Sequence, residues 1–216
     1  RLGDDLARLT AAFTARGLGD WLDMESLTLR YREEETYQGD WKTFLEVYGD
    51  CYHVPAYHGG LSSYADCRTL EWSFGRGYHA QFVQLSARRG EASANYRAWV
   101  DGVDAYYRSR GEATPGLAVA WTSIYPNVMV ELYNGMCVIS IIVPRGADRY
   151  VNRVLFLFPA DLDVRVPGLS ATIKAAYDET AVEDRVLNES RAEGLAMARS
   201  LGLRLPTYVT NLAGPA

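Results

Sequence analysis

"LSATIKAAYDETAVEDRVLNESRAEGLAMARSLG" (residues 169–202) is the stretch on which the fold turns. Ile173, Tyr177, Thr180, position 184 and Leu187 recur at helical spacing, which predicts one long helix opened by Ser170 and closed near Gly202. Position 184 on this apolar stripe is Asp184. A carboxylate there is costly unless it is paired or bound to a metal. Its neighbour Glu183 lies about 100° further round the helix and is expected to be solvated. An ion pair with an arginine is the structural alternative for Asp184.

Upstream of this helix the pattern is mostly strands. "LTLRYREEETYQ" (27–38) alternates as a strand with one wet face, and its acidic run Glu33–Glu35 reads as a solvated strand end. Further strand-like runs occupy 69–75, 78–87, 117–124, 127–133, 136–144 and 151–159. Turns such as "YNGM" and "PRGADR" predict antiparallel hairpins between neighbours. Shorter helices are expected over 4–16 and 95–108. Strands followed by one long helix predict an α+β domain with the sheet wrapped around that helix.

The 216 residues fit one domain, residues 1–216. A net charge of −5 argues against a general nucleic-acid surface. No apolar run approaches the roughly 20 residues needed to span a bilayer, and no signal peptide is visible. Three widely spaced cysteines, 51, 67 and 137, fit a reducing compartment, so a cytoplasmic location is the expectation. The chain begins at Arg1 and ends on "LPTYVTNLAGPA", and continuation beyond both ends is expected.

A second stretch carries the chemistry: "DWKTFLEVYGDCYHVPAYHGGL" (40–61), which holds two of the three histidines. Asp40 reads as an N-cap, and the helix it opens is expected to run to Val54, where Pro55 stops it. On such a helix Glu46, Asp50 and His53 share a face, and the turn after Pro55 returns His58 to the same point. Two imidazoles with Asp184 as a third ligand would make a two-histidine, one-carboxylate site with open positions, the facial triad of non-haem iron(II) oxygenases. Zinc hydrolases use similar sets, so the triad alone leaves the metal open.

These segments resemble the catalytic domain of Rieske non-haem iron oxygenase α subunits, the ring-hydroxylating dioxygenase family. Residues 40–61 resemble its signature of Asn-Trp-Lys, an acid, then D/E-x-x-H-x4-H. "YPNVMVELY" (125–133), "VPRGADR" (143–149) and "AAYDETAVEDRVLNESRAEGL" (175–195) resemble further family segments, in the family's order. The resemblance implies a helix-grip (START/Bet v 1-like) fold, a curved antiparallel sheet around a long C-terminal helix. It implies iron(II) held by His53, His58 and Asp184, with Asp50 linking the iron to a Rieske [2Fe-2S] cluster of a neighbouring subunit. It also implies dioxygen, an aromatic or small organic substrate, a reductase or ferredoxin donor, and a homotrimer. Asp40, Val47 and Gly59 depart from the usual Asn, Asn and Pro.

A Rieske cluster needs C-x-H followed by C-x-x-H. Cys51-Tyr52-His53 supplies a C-x-H, but position 70, where Cys67 would need its histidine, is Leu70. The Rieske domain is therefore expected upstream of Arg1 or on another chain. Trp121, Tyr125, Met129, Tyr133 and Val138 are pocket candidates that serve equally as core; aromatic residues suit either a ring or a quaternary amine. His79 reads as a structural or pocket-edge histidine. The rival readings are a metal-free hydrophobic-ligand module of the helix-grip fold, and a zinc hydrolase with Glu46 or Asp50 as base.

Overall fold

The computed structural model describes residues 2–203; the tail segment singled out above lies outside them. The elements run α1 (Leu2–Thr14), β1 (Leu27–Gln38), α2 (Trp41–Tyr48), α3 (Val54–Tyr57), α4 (Gly59–Tyr64), β2 (Ala65–Phe74) and β3 (Tyr78–Leu85). They continue through α5 (Ala94–Ser109), β4 (Leu117–Ile124), β5 (Val128–Tyr133), β6 (Met136–Pro144), β7 (Arg149–Pro159), α6 (Leu162–Arg165) and α7 (Leu169–Ser200). One seven-stranded sheet has the order β1-β7-β6-β5-β4-β3-β2. All its pairings are antiparallel. The hairpins fall where the turn residues placed them, with Asn134-Gly135 joining β5 to β6 and Gly135 at φ +85°.

Alternation assigns each strand residue a face. One face buries Ala80, Phe82, Ala120, Leu132 and Cys137 against Leu9 and Phe13 of α1. The other carries Val83, Trp121, Tyr133, Val138, Val154 and Phe156, which pack against Tyr64, Tyr96 and Trp99 of the α4–α5 region and Ile173 of α7. Trp99 is fully buried, stacks on Tyr64 and Tyr96, and donates its indole N–H to Asn134 O at 3.1 Å.

The α+β class stands, but the START/Bet v 1-like helix grip is overturned. In a helix grip the sheet closes around one long helix. Here α7 packs chiefly on α5 and also touches α2, α4 and α6, with a smaller contact to β1. The reason is competition for the inner face. The aromatic side chains of α4 and α5 fill much of it, so α7 lies along a helical layer, while α1 covers the second face. The opening of α7 also differs. Gly168, left-handed at φ +81°, precedes it, and Asp163 takes the Ser170 N–H at 2.9 Å and its hydroxyl at 2.6 Å.

Because Trp99 packs on Tyr64, Tyr96 and Tyr133 and bonds a buried carbonyl, Trp99→Ala is expected to destabilise the domain by about 3–5 kcal/mol. Urea unfolding of the purified chain measures this.

Candidate metal centre and adjoining cavity

Asp40 caps α2 as expected, its side chain accepting the Lys42 N–H at 3.0 Å. The helix then ends at Tyr48, with Gly49 as its C-cap, short of its predicted end at Val54. Residues 50–53 form a turn in which Asp50 Oδ1 accepts the Tyr52 N–H at 2.7 Å. Pro55 starts the short α3 rather than ending α2, because a proline in a first turn lacks only an N–H that has no helical partner. Glu46, Asp50 and His53 therefore do not share a helix face. Glu46 pairs with Arg191 of α7, Asp50 is exposed at the cavity rim, and His53 turns inward.

His53 and His58 flank α3, and their rings meet edge to face with centroids 5.0 Å apart. Asp184 Oδ1 lies 3.1 Å from His58 Nε2 and 3.6 Å from His53 Nε2. One donor atom from each of the three residues falls within 4.8 Å of the others. A first-row metal about 2.1 Å from each donor would leave donors about 3 Å apart at right angles, so this set fits one ion. Among the described residues no arginine pairs with Asp184, and its carboxylate faces the two imidazoles.

Glu183, expected to be solvated, instead accepts from His58 Nδ1 at 2.8 Å. The His58 ring lies between consecutive side chains of α7, an arrangement that face-counting along a helix does not reveal. With Nδ1–H committed to Glu183, Nε2 is the nitrogen free to bind a metal. Burial disfavours a charged His58, but hydrogen bonds and charge from Asp184 and Glu183 outweigh it and raise its pKa. Burial acts to raise Asp184, and His53 and His58 outweigh it, leaving its pKa lowered. His79 is half-buried against Trp72, lowered by burial, and lies outside this group.

The triad borders a cavity of about 280 Å³ between the inner sheet face and helices α2 and α7. Of the pocket candidates, Trp121 and Tyr133 line it. Met129 and Val138 are core, and Tyr125 is exposed. Glu33 and Glu35, read as a solvated strand end, also line it: Glu33 pairs with Lys174 at 2.7 Å, and Glu35 accepts the Tyr37 hydroxyl at 2.6 Å.

The residue that sequence reasoning missed is Glu131, buried on β5 and lining the same cavity. It accepts hydroxyl hydrogen bonds from Tyr133 at 2.6 Å and Tyr177 at 3.1 Å. Burial, with a contribution from the charge of Asp184, pushes its pKa up to about 7 despite those hydrogen bonds. The signal was present in "VMVELY", where an acid shares the parity of Met129 and Tyr133.

The chain belongs to the family described as ring hydroxylating alpha subunit (catalytic domain), whose model matches residues 18–206. This is the catalytic domain of Rieske-type non-haem iron oxygenases, and the present sequence carries its mononuclear triad but no Rieske cluster motif. It is 35% identical over 198 residues to a putrescine 2-hydroxylase of Ralstonia nicotianae, covering 91% of this chain and 52% of that protein. A second putrescine 2-hydroxylase, from Bordetella bronchiseptica, is 33% identical over 156 residues, 72% of this chain and 36% of that protein. The chain thus spans about half, or less, of these relatives. Among solved structures, a quaternary ammonium Rieske monooxygenase matches with TM-score 0.64 at 15% identity, covering 89% of this chain and 47% of the other. Dicamba monooxygenase bound to 3,6-dichlorosalicylic acid matches with TM-score 0.56 at 15% identity, covering 86% and 56%. These likenesses give the mixed α+β architecture of the Rieske oxygenase catalytic domain in place of the START/Bet v 1-like grip. Among the described residues no helix is long and apolar enough to cross a membrane.

Glu131 gives the metal-free chain a pH signature. Its folded pKa is raised, so its contribution to stability is complete below about 4.5 and is lost as pH rises through about 7. Between pH 4 and pH 8 the wild type should lose about 3 kcal/mol more stability than Glu131→Gln. Denaturant midpoints of both proteins across that range check it; parallel profiles would contradict it.

Proposed function

We propose that His53, His58 and Asp184 hold one iron(II) ion, and that this region is the oxygen-activating domain of a terminal oxygenase hydroxylating a small organic substrate. The observation that carries the reading is the convergence of two imidazoles and one carboxylate at the edge of a cavity, with Glu183 fixing the tautomer of His58. Iron(II) bound there would supply dioxygen activation. His58 and His53 would offer Nε2, and Asp184 would offer an oxygen and the negative charge that favours a divalent cation. The aromatic and aliphatic walls would exclude water and orient the substrate. A metal-free carrier gains nothing from two histidines facing a carboxylate.

Electrons would come from a Rieske cluster on a domain upstream of this region or on a neighbouring subunit, supplied in turn by a reductase or ferredoxin, with a homotrimer as the assembly. Asp50 is proposed as the link: it sits exposed at the rim, and the Nδ1 of nearby His53 is buried without a protein hydrogen-bond partner among the described residues. The names of the two curated relatives favour hydroxylation of an aliphatic amine over an arene, and a cavity of about 280 Å³ suits a substrate of that size.

Anaerobic loading followed by metal analysis tests the triad. Wild type should retain about one iron per chain, Asp184→Ala should retain none, and Glu183→Gln should bind iron about 10–100-fold more weakly. A wild type that takes up no iron, or an Asp184→Ala protein that keeps its iron, would refute the assignment. In the complete oxygenase, Asp50→Ala should keep its iron while turnover driven through the Rieske cluster collapses; unchanged turnover would remove Asp50 from the electron path.

A further inference from the structure

Around the cavity Arg185 is engaged by Glu35, Glu189 and Thr36 O, and the buried side-chain atoms left unpartnered among the described residues are the Tyr48 hydroxyl, His53 Nδ1 and three amide oxygens. Glu131 is 5% exposed, and a carboxylate offers about four acceptor positions, of which the two tyrosine hydroxyls occupy two. Among the described residues no lysine or arginine forms an ion pair with it. Three further buried side chains lining the same space, Gln81, Asn152 and Asn188, each have an amide oxygen without a protein hydrogen-bond partner. For two of them the orientation is set from the other end of the amide. Gln81 donates to Tyr48 O at 3.5 Å, and Asn188 donates to Asp184 O at 3.0 Å, so both present oxygen to their remaining surroundings.

Sheet register extends this arrangement. Gln81 pairs with Trp121, and Trp121 with Glu131, so the three form one row across β3, β4 and β5 on the inner face. Trp121 donates its indole N–H to the Tyr133 hydroxyl at 3.0 Å, which in turn donates to Glu131. The donors of this network are thereby turned onto the carboxylate, and the aromatic faces border the remaining space. A buried carboxylate, unpaired amide oxygens and aromatic walls are the complement of a group that carries positive charge and several N–H donors but no acceptor.

We propose that Glu131 is the anchor for the ammonium group of a small aliphatic amine substrate, with the amide oxygens of Gln81, Asn152 and Asn188 taking further N–H donors along the same cavity. This rests on the oxygenase reading above and assigns to that site its substrate-orienting charge. A neutral arene or alcohol would leave Glu131 without a counter-charge and the amide oxygens short of donors. A monocation or dication of a few carbons meets both needs. Glu131 is here a specificity-determining residue, distinct from the metal ligands.

Calorimetric titration tests it, with 1,4-diaminobutane and 1,4-butanediol as probes, on iron(II)-loaded chain under anaerobic conditions and on metal-free chain. The wild type should bind the diamine at least about tenfold more tightly than the diol. Glu131→Gln should weaken diamine binding by about ten- to a hundredfold and leave the diol and the iron content unchanged. Glu131→Asp, which keeps the charge, should keep the preference for the amine. A wild type that does not prefer the diamine overturns the proposal, and this comparison needs no variant to fold. Wild-type diamine affinity in Glu131→Gln overturns it as well. Failure of the wild type to load iron sinks the oxygenase reading instead, and the metal-free titrations still decide the anchor.

Discussion

Strand register is the constraint on which the site depends. In an antiparallel sheet a one-residue slip sends every inward side chain outward. Glu131 and Tyr133 face α7 because β5 is locked to β6 by the two-residue Asn134-Gly135 turn and to β4 by the pairing of Trp121 with Glu131. Gly135 contributes twice. Its φ of +85° suits the turn, and a Cβ there would stand 3.2 Å from Ile173 Cδ1. The same glycine that sets the hairpin register thus lets α7 approach closely. From that contact the helix runs on past Tyr177, whose hydroxyl meets Glu131, to Glu183 and Asp184, which meet His58.

That last contact joins two parts of the chain that local structure would leave independent. The segment around α3 is short, with Cys51, Val54 and Leu61 as its buried apolar anchors. Its histidines are held from outside by a 32-residue helix, through carboxylates that grip opposite edges of the His58 ring. A ring with a carboxylate at each nitrogen has its plane fixed, which a single contact cannot do. Both grips come from consecutive residues, so a rotation of α7 that spoiled one would spoil the other. The geometry of the triad therefore reports the packing of α7 on α5 and α2.

Much of this was legible in the sequence, and the failures have physical causes. Strand alternation, turn residues and the period of α7 are local properties, and β1 and α7 fall at or within two residues of their expected ends. His53, His58 and Asp184 could be grouped because two neighbouring histidines and an acid on an apolar stripe are each anomalous in their own segment. What could not be read was the competition between segments. The aromatic side chains of α4 and α5 share the inner face with α7, which packs chiefly on α5. The sequence does not place the end of α2 because a proline that can terminate one helix serves equally well in the first turn of the next, as Pro55 does in α3. Glu183 was misassigned because a helical wheel gives direction but not the ring that wedges between two directions.

Glu131 and Asp184 show how two carboxylates on one cavity acquire opposite characters. For both, burial is the largest influence and opposes ionisation. Asp184 has two imidazoles against it, and their hydrogen bonds and charge reverse the effect, so it is held below the ordinary carboxylate range. Glu131 has hydroxyl donors, which carry no formal charge and offset only part of the cost; it also feels the negative charge of Asp184 itself. A buried acid with hydroxyl partners but no cation keeps an electrostatic demand that the fold leaves unmet. The proposed ammonium group would meet that demand in the cavity that the triad borders.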